Sequence, residues 1–324
     1  MNLYLTVDTE LASGLYRSLG KAALKEILDR SIVGKTNSKD VGVGHQMDVL
    51  DRHGLKAVFF VDPMPALVFG VGVVRDIVRP ILDRGHDVQL HLHSEWLKFL
   101  ETPLLGDRKF NELKQYGLED QIALVRYARE TLIEAGAPPP VAFRAGNYSA
   151  NDNTLHALSA NQIRYDTSFC TGIANSNCEI SLPELTFAPV HHHGVIEVPI
   201  GAIGGPDGKR RHAQLTALSY WELKDAFAFL KQQDVRYFSV VSHSFELMSR
   251  DRQKANFVVA RRFEKLCAHL EHLDGVQTST YRDDPPQVGE CQKPPASYVL
   301  PHRHARTLVR TGEQAVSNLL FGSK

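Results

Sequence analysis

The chain has 324 residues, 43% hydrophobic, 23% charged and 8% aromatic, which excludes a disordered or collagen-like polypeptide and supplies enough apolar material for a sizeable core. Thirty-seven basic residues balance 37 acidic ones, so no net field recruits a polyanion, and nucleic acid and extended anionic membrane surface are poor partners. The longest apolar runs, such as 66–74, fall short of the ~20 residues that a membrane helix needs, so no membrane span is expected.

The N-terminus, MNLYLTVDTE, has neither the basic region nor the apolar stretch of a secretory signal, and a cytoplasmic location is expected. In chain order, residues 2–7, 57–61, 87–91, 141–143, 163–166, 195–199 and 237–243 read as strands. Between them residues 45–52, 73–84, 118–135, 152–160, 221–232 and 252–273 carry helical periodicity, with Pro80 expected to kink the second. Gly54, Gly85 and Gly136 stop three of these helices, and Ser149, with Asp152 three residues on, reads as the cap of the helix at 152–160. Alternating strands and helices imply βαβ units, a parallel sheet and a closed or nearly closed barrel of about seven strands spanning 1–283. Residues 12–44, with a helix at 21–30, are too long for a plain connection and suit a substrate loop. From 284 to 324 the text is Pro-rich and aperiodic, and an irregular tail outside the barrel is expected. Cys170, Cys178, Cys267 and Cys291 show no C-x-x-C spacing, which argues against a zinc knuckle or a disulfide framework.

Barrel enzymes collect their chemistry at the C-terminal ends of strands. Here those ends carry Asp8 and Glu10, then His91, His93 and Glu95, then Arg144, then Asp166, then His243. Nitrogen and oxygen donors without a thiolate suit a catalytic zinc or a similar divalent ion. His91 and His93, two residues apart, lie on the same side of an extended strand. The consecutive histidines 191–193 are set aside, because neighbours along a chain point in different directions, and His302 and His304 of the tail with them.

The order T-x-D-x-[DE] at 6–10, G-H-[DE]-x-x-x-H at 85–91, F-R at 143–144, D-x-S at 166–168 and V-x-S-H at 240–243 resembles the polysaccharide deacetylase family, the NodB-homology domain of carbohydrate esterase family 4. The likeness runs from Leu3 to Leu247 and includes HGLKAVFFV at 53–61. It implies an α/β fold, a distorted (β/α) barrel with about seven parallel strands. It also implies a metal-dependent hydrolase that removes an N-acetyl group from a carbohydrate. Carried over by position, Asp8 is the general base and Glu10 the first metal ligand, although Thr9 stands where the family usually has a second aspartate. His91 is the first histidine of the metal pair. The family's second histidine position holds Glu95, so either Glu95 or His93 completes the set. Arg144 clamps the base, Asp166 orients the catalytic histidine, and His243 is the general acid. In RAGNYSAN the oxyanion-binding amide belongs to Asn147 or Tyr148, while Trp96 and Tyr148 are candidate sugar-stacking aromatics. Two other readings keep the fold: an amidohydrolase acting on formamides or cyclic amides, and a carbohydrate-binding pseudoenzyme without a metal.

Overall fold

The computed structural model describes residues 1–100, 104–173, 176–289 and 293–322. Its strands are β1 (Asn2–Thr9), β2 (Val58–Val61), β3 (Asp87–Leu92), β4 (Leu104–Asp107), β5 (Ala142–Ala145), β6 (Tyr165–Asp166), β7 (Val190–His192), β8 (Val195–Glu197), β9 (Ala202–Gly204), β10 (Arg210–His212), β11 (Tyr237–His243) and β12 (Gln277–Thr278). The helices are α1 (Ser13–Leu19), α2 (Leu24–Leu28), α3 (Val43–Arg52), α4 (Ala66–Phe69), α5 (Val71–Asp83), α6 (Leu118–Glu134), α7 (Asp152–Ala160), α8 (Tyr220–Gln232), α9 (Phe257–Glu271) and α10 (His304–Phe321). The main sheet runs β11-β1-β2-β3-β5-β6-β8-β7, with β12 added to β1. Every ladder of this sheet is parallel except β7 against β8, and β9 and β10 form a separate antiparallel pair. The sheet is curled into the distorted barrel that the alternating pattern predicts.

The period of two along β1 explains the two faces of the sheet. Leu3, Leu5 and Val7 join the apolar layer under the surrounding helices. Tyr4 instead packs inside with Phe60, Tyr165 and Tyr281, and Thr6 and Asp8 continue that inner row. The side between β8 and β11 is bridged by main-chain bonds: Gly201 N donates to Ser239 O (3.1 Å), Val241 N to Ala213 O (2.8 Å) and Leu215 N to Val241 O (2.9 Å). Gly201 is required there, because a Cβ would lie 2.5 Å from the Phe238 ring.

Three local expectations are corrected. The cap of α7 is Asn151, whose side chain accepts from Thr154 N (3.1 Å), while Ser149 instead receives Leu113 N (3.1 Å). Residues 12–44 are largely helical, with α1, α2 and a π-helical turn at Asp29–Val33. Finally, the segment after 284 is not wholly irregular. It ends in the 18-residue α10, held by Arg306 to Asp225 (2.8 Å) and by Glu313 to the buried Arg262 (2.6 Å). Among the described residues Cys170, Cys178 and Cys267 are free; Cys291 lies outside them. No helix among the described residues is long and apolar enough to cross a membrane.

Candidate active site

β1, β3, β5 and β11 end on the same rim, and their ladders bring the side chains together. Asp8 stands opposite His243 in the β1–β11 ladder, and His91 stands opposite Arg144 between β3 and β5. Arg144, fully buried, donates from Nη1 to Asp8 Oδ1 (2.6 Å) and to Thr6 Oγ1 (2.9 Å), and from Nε to Thr167 O (3.3 Å). Its guanidinium lies over the Phe60 ring at 4.4 Å. Burial opposes this charge, but Asp8 prevails and raises the pKa of Arg144.

Glu10, His91 and His93 form the first cluster, with one donor atom of each within 4.8 Å of the others. His91 Nδ1 donates to the Arg144 carbonyl (2.7 Å), which fixes a proton on Nδ1 and turns Nε2 toward Glu10 Oε2, 3.4 Å away. His93 repeats the pattern. Its Nδ1 bonds Glu95 Oε2 (3.1 Å), and its Nε2 meets Glu10 Oε2. Glu95, one of the two candidates for the last ligand, therefore lies behind His93, where it also receives Ser13 Oγ (3.1 Å). Burial disfavours the His93 cation, yet Glu10 and Glu95 hold its pKa well above the ordinary histidine value.

The residues fit a divalent cation. Donors about 2.0–2.1 Å from a tetrahedral ion lie roughly 3.4 Å apart, the spacing of His91 Nε2 and Glu10 Oε2. Asp62, directly after β2, is a carboxylate that sequence reading missed. It is 1% exposed, its Oδ2 has no hydrogen-bond partner, and burial pushes its pKa up to about 7 against the pull of His93 and His91. An orphaned buried carboxylate oxygen beside two histidines whose Nε2 atoms both face the Glu10 carboxylate is the setting that a cation completes. Gly146 is needed for the same geometry, since a Cβ there would sit 2.7 Å from the His93 ring.

The second cluster centres on His243. Its Nδ1 bonds Glu246 Oε2 at 2.6 Å. Glu246 is in turn held by Gln214 Nε2 (2.9 Å) and Thr216 N (3.1 Å). Burial works against the imidazolium, but Glu246 outweighs it and raises the His243 pKa to about 9. Asp166, expected in this orienting role, lies on β6, five strands from β11 along the sheet. Its carboxylate accepts from Ser168 Oγ (2.8 Å) and Ser168 N (3.1 Å) and shares a hydrogen bond with the buried Glu197. Glu246 thus occupies the place assigned to Asp166. Its sequence signal was its position three residues after His243.

Trp96 is fully buried against Tyr16, Phe69 and Phe99, so it cannot stack on a sugar. Asn147 and Tyr148 both adopt φ 54°, which turns the chain at the rim. Tyr148 feels the charges of Arg144, Asp8 and Glu246, and burial keeps its hydroxyl protonated. His192 and His193, expected to diverge, instead meet Asp152 at 3.6 and 3.3 Å, because His193 takes a left-handed φ of 45°.

No family model and no curated protein matches the sequence. Solved structures do. A protein assigned as a polysaccharide deacetylase from Mycobacterium smegmatis superposes with a TM-score of 0.53 at 14% identity, covering 90% of this chain and 94% of that one. A family 4 carbohydrate esterase from Streptomyces lividans, in complex with acetate, matches with a TM-score of 0.41 at 11% identity, covering 93% and 98%. The chain has the fold of the polysaccharide deacetylases, which its ordered strand-end motifs resemble in divergent form.

Proposed function

We propose that this chain is a metal-dependent hydrolase that removes an N-acetyl group from a carbohydrate. The observation that carries the reading is the pairing of the two clusters. A cation-ready group of Glu10, His91 and His93 shares one rim with a locked carboxylate, Asp8, and with a charged histidine, His243, its neighbour across the β1–β11 ladder. A divalent ion, zinc by the nitrogen and oxygen donor set, would be held by those three residues and would supply positive charge to polarise the amide carbonyl and the attacking water.

The chain's own groups then divide the proton traffic. Asp8, aimed by Arg144, takes the proton from the attacking water. His243 carries a proton below about pH 9, held on the correct side by Glu246, and delivers it to the departing nitrogen. A backbone amide at Asn147 or Tyr148 receives the developing oxyanion, and the Tyr148 ring borders the sugar. The test is acetate release from N-acetylglucosamine oligosaccharides by metal-loaded protein, run beside Asp8→Asn and His243→Ala. Release by the wild type that collapses in both variants supports the reading, whereas turnover of formamides alone would favour another amide as substrate. Sugar binding without any release would point to a pseudoenzyme.

A further inference from the structure

A cavity of about 600 Å³ opens on the His243 side of the site, walled by His243, Glu246, Arg250, Arg252, Asn256 and, from α10, Gln314. That volume suits a small ligand such as one or two sugar rings. If His243 protonates the leaving nitrogen, the sugar bearing that nitrogen must lie on this side. The charges lining the cavity do not balance. Glu246 is neutralised by His243 and Arg262 by Glu313. Arg250 and Arg252 have no carboxylate partner among the described residues, and Nη1 of Arg252 is buried without any hydrogen bond.

The loop that presents these arginines is built rather than loose. Ser249 N donates to Lys254 O (2.7 Å), Arg252 N to Ser249 O (2.8 Å) and Lys254 N to Ser249 Oγ (2.9 Å). Arg30 ties the loop to the body by donating to Asp251 O (2.8 Å). Arg252 itself is held at φ 55°, where a long side chain is uncommon, with its guanidinium 3.5 Å from the centre of the Phe245 ring. Two unpaired guanidinium groups facing a polar cavity match an anionic oxygen group, which guanidinium binds bidentately.

We infer that this cavity is a substrate subsite for an anionic group, so that the N-acetylated sugar carries a phosphate or a carboxylate recognised by Arg250 and Arg252. The inference rests on the deacetylase reading for its reaction, but not for its binding. The experiment compares kcat/KM for acetate release from N-acetylglucosamine, its 6-phosphate and its uronic acid, in wild type, Arg250→Ala and Arg252→Gln. In parallel, calorimetry measures the binding of N-acetylglucosamine 6-phosphate to the same proteins. A preference of about tenfold or more for one or both charged sugars, falling toward parity in the variants and weakening with salt, is the expected result, and the preferred sugar identifies phosphate or carboxylate. Equal turnover of neutral and charged sugars overturns the subsite while leaving the deacetylase intact. If no sugar is turned over, the reaction assignment fails and calorimetry decides alone: binding lost in the variants upholds the anion site, and binding unchanged or absent overturns it. Arg250 is exposed, so Arg250→Ala keeps the test valid if Arg252→Gln misfolds.

Discussion

The two ends of the candidate site are made of different material. Asp8, His91 and Arg144 sit within β1, β3 and β5, each buried and each in a strand bonded on both sides. Glu246, Arg250 and Arg252 sit on the turn and loop after β11, in a cavity closed by α10, which buries none of its own residues. In the proposed reaction, the groups that would set its geometry are therefore fixed by the sheet, and the groups that would face the rest of the substrate are carried by peripheral elements. Changes at the first end should reach chemistry and folding together, whereas changes at the second should shift selectivity and pH response in an intact fold.

The largest effect expected at the strand end is that of His91→Ala. Loss of a nitrogen whose orientation is fixed by the Arg144 carbonyl should remove bound metal and lower kcat/KM by roughly 10³-fold, from the several kcal/mol that a metal contributes to such transition states. Elemental analysis beside acetate release reads both. Metal retained at full stoichiometry would break the assignment of His91. Next comes Arg144→Leu, which leaves the buried Asp8 carboxyl without its ion-pair partner. A loss of about 3–5 kcal/mol in urea unfolding is expected, as for other broken buried pairs. A loss under about 1 kcal/mol, the range of an exposed pair, would erase the contrast between the two ends. Smaller again is Glu95→Gln. It keeps the size of the group but weakens the hold on His93 Nδ1, and metal affinity should fall about 10–100-fold by competition with a chelator. An unchanged affinity would mean that Gly146 and Glu10 alone orient His93.

How far the sequence carried the site follows the same division. Asp8, Glu10, His91, Arg144 and His243 were readable because parallel strands deliver their C-terminal ends to one rim. The same rule applied to FFVD after β2 would have found Asp62. Glu246 was hidden because it stands in a turn that strand logic does not reach, while Asp166 held the place that the family pattern offers. Trp96 was misplaced because the 3₁₀ turn at Ser94–Phe99 folds its ring into the core rather than over the rim. The final helix escaped notice because it docks through Arg306 and Glu313 while Leu308 and Leu319 face solvent, so no inward apolar stripe marks it.

The loop end offers the finest test, Glu246→Gln. In the wild type, burial favours neutral His243 and Glu246 reverses that preference, raising the pKa from 6.5 to about 9. A general acid works only while protonated, so kcat/KM should hold through neutral pH and decline as pH rises through about 9. Glutamine keeps a hydrogen-bonding group but removes the charge, which leaves burial to dominate. The His243 pKa then falls, and the alkaline limb moves toward acid by at least one pH unit, which corresponds to about 1.4 kcal/mol of lost interaction. At pH 6 the variant should retain much more of its activity than at pH 8. NMR titration of the His243 ring gives a readout independent of turnover. A limb and a ring titration that both stay near 9 would show that the charge of Glu246 does not govern His243, and the loop end would then be indifferent to the chemistry that the strands perform.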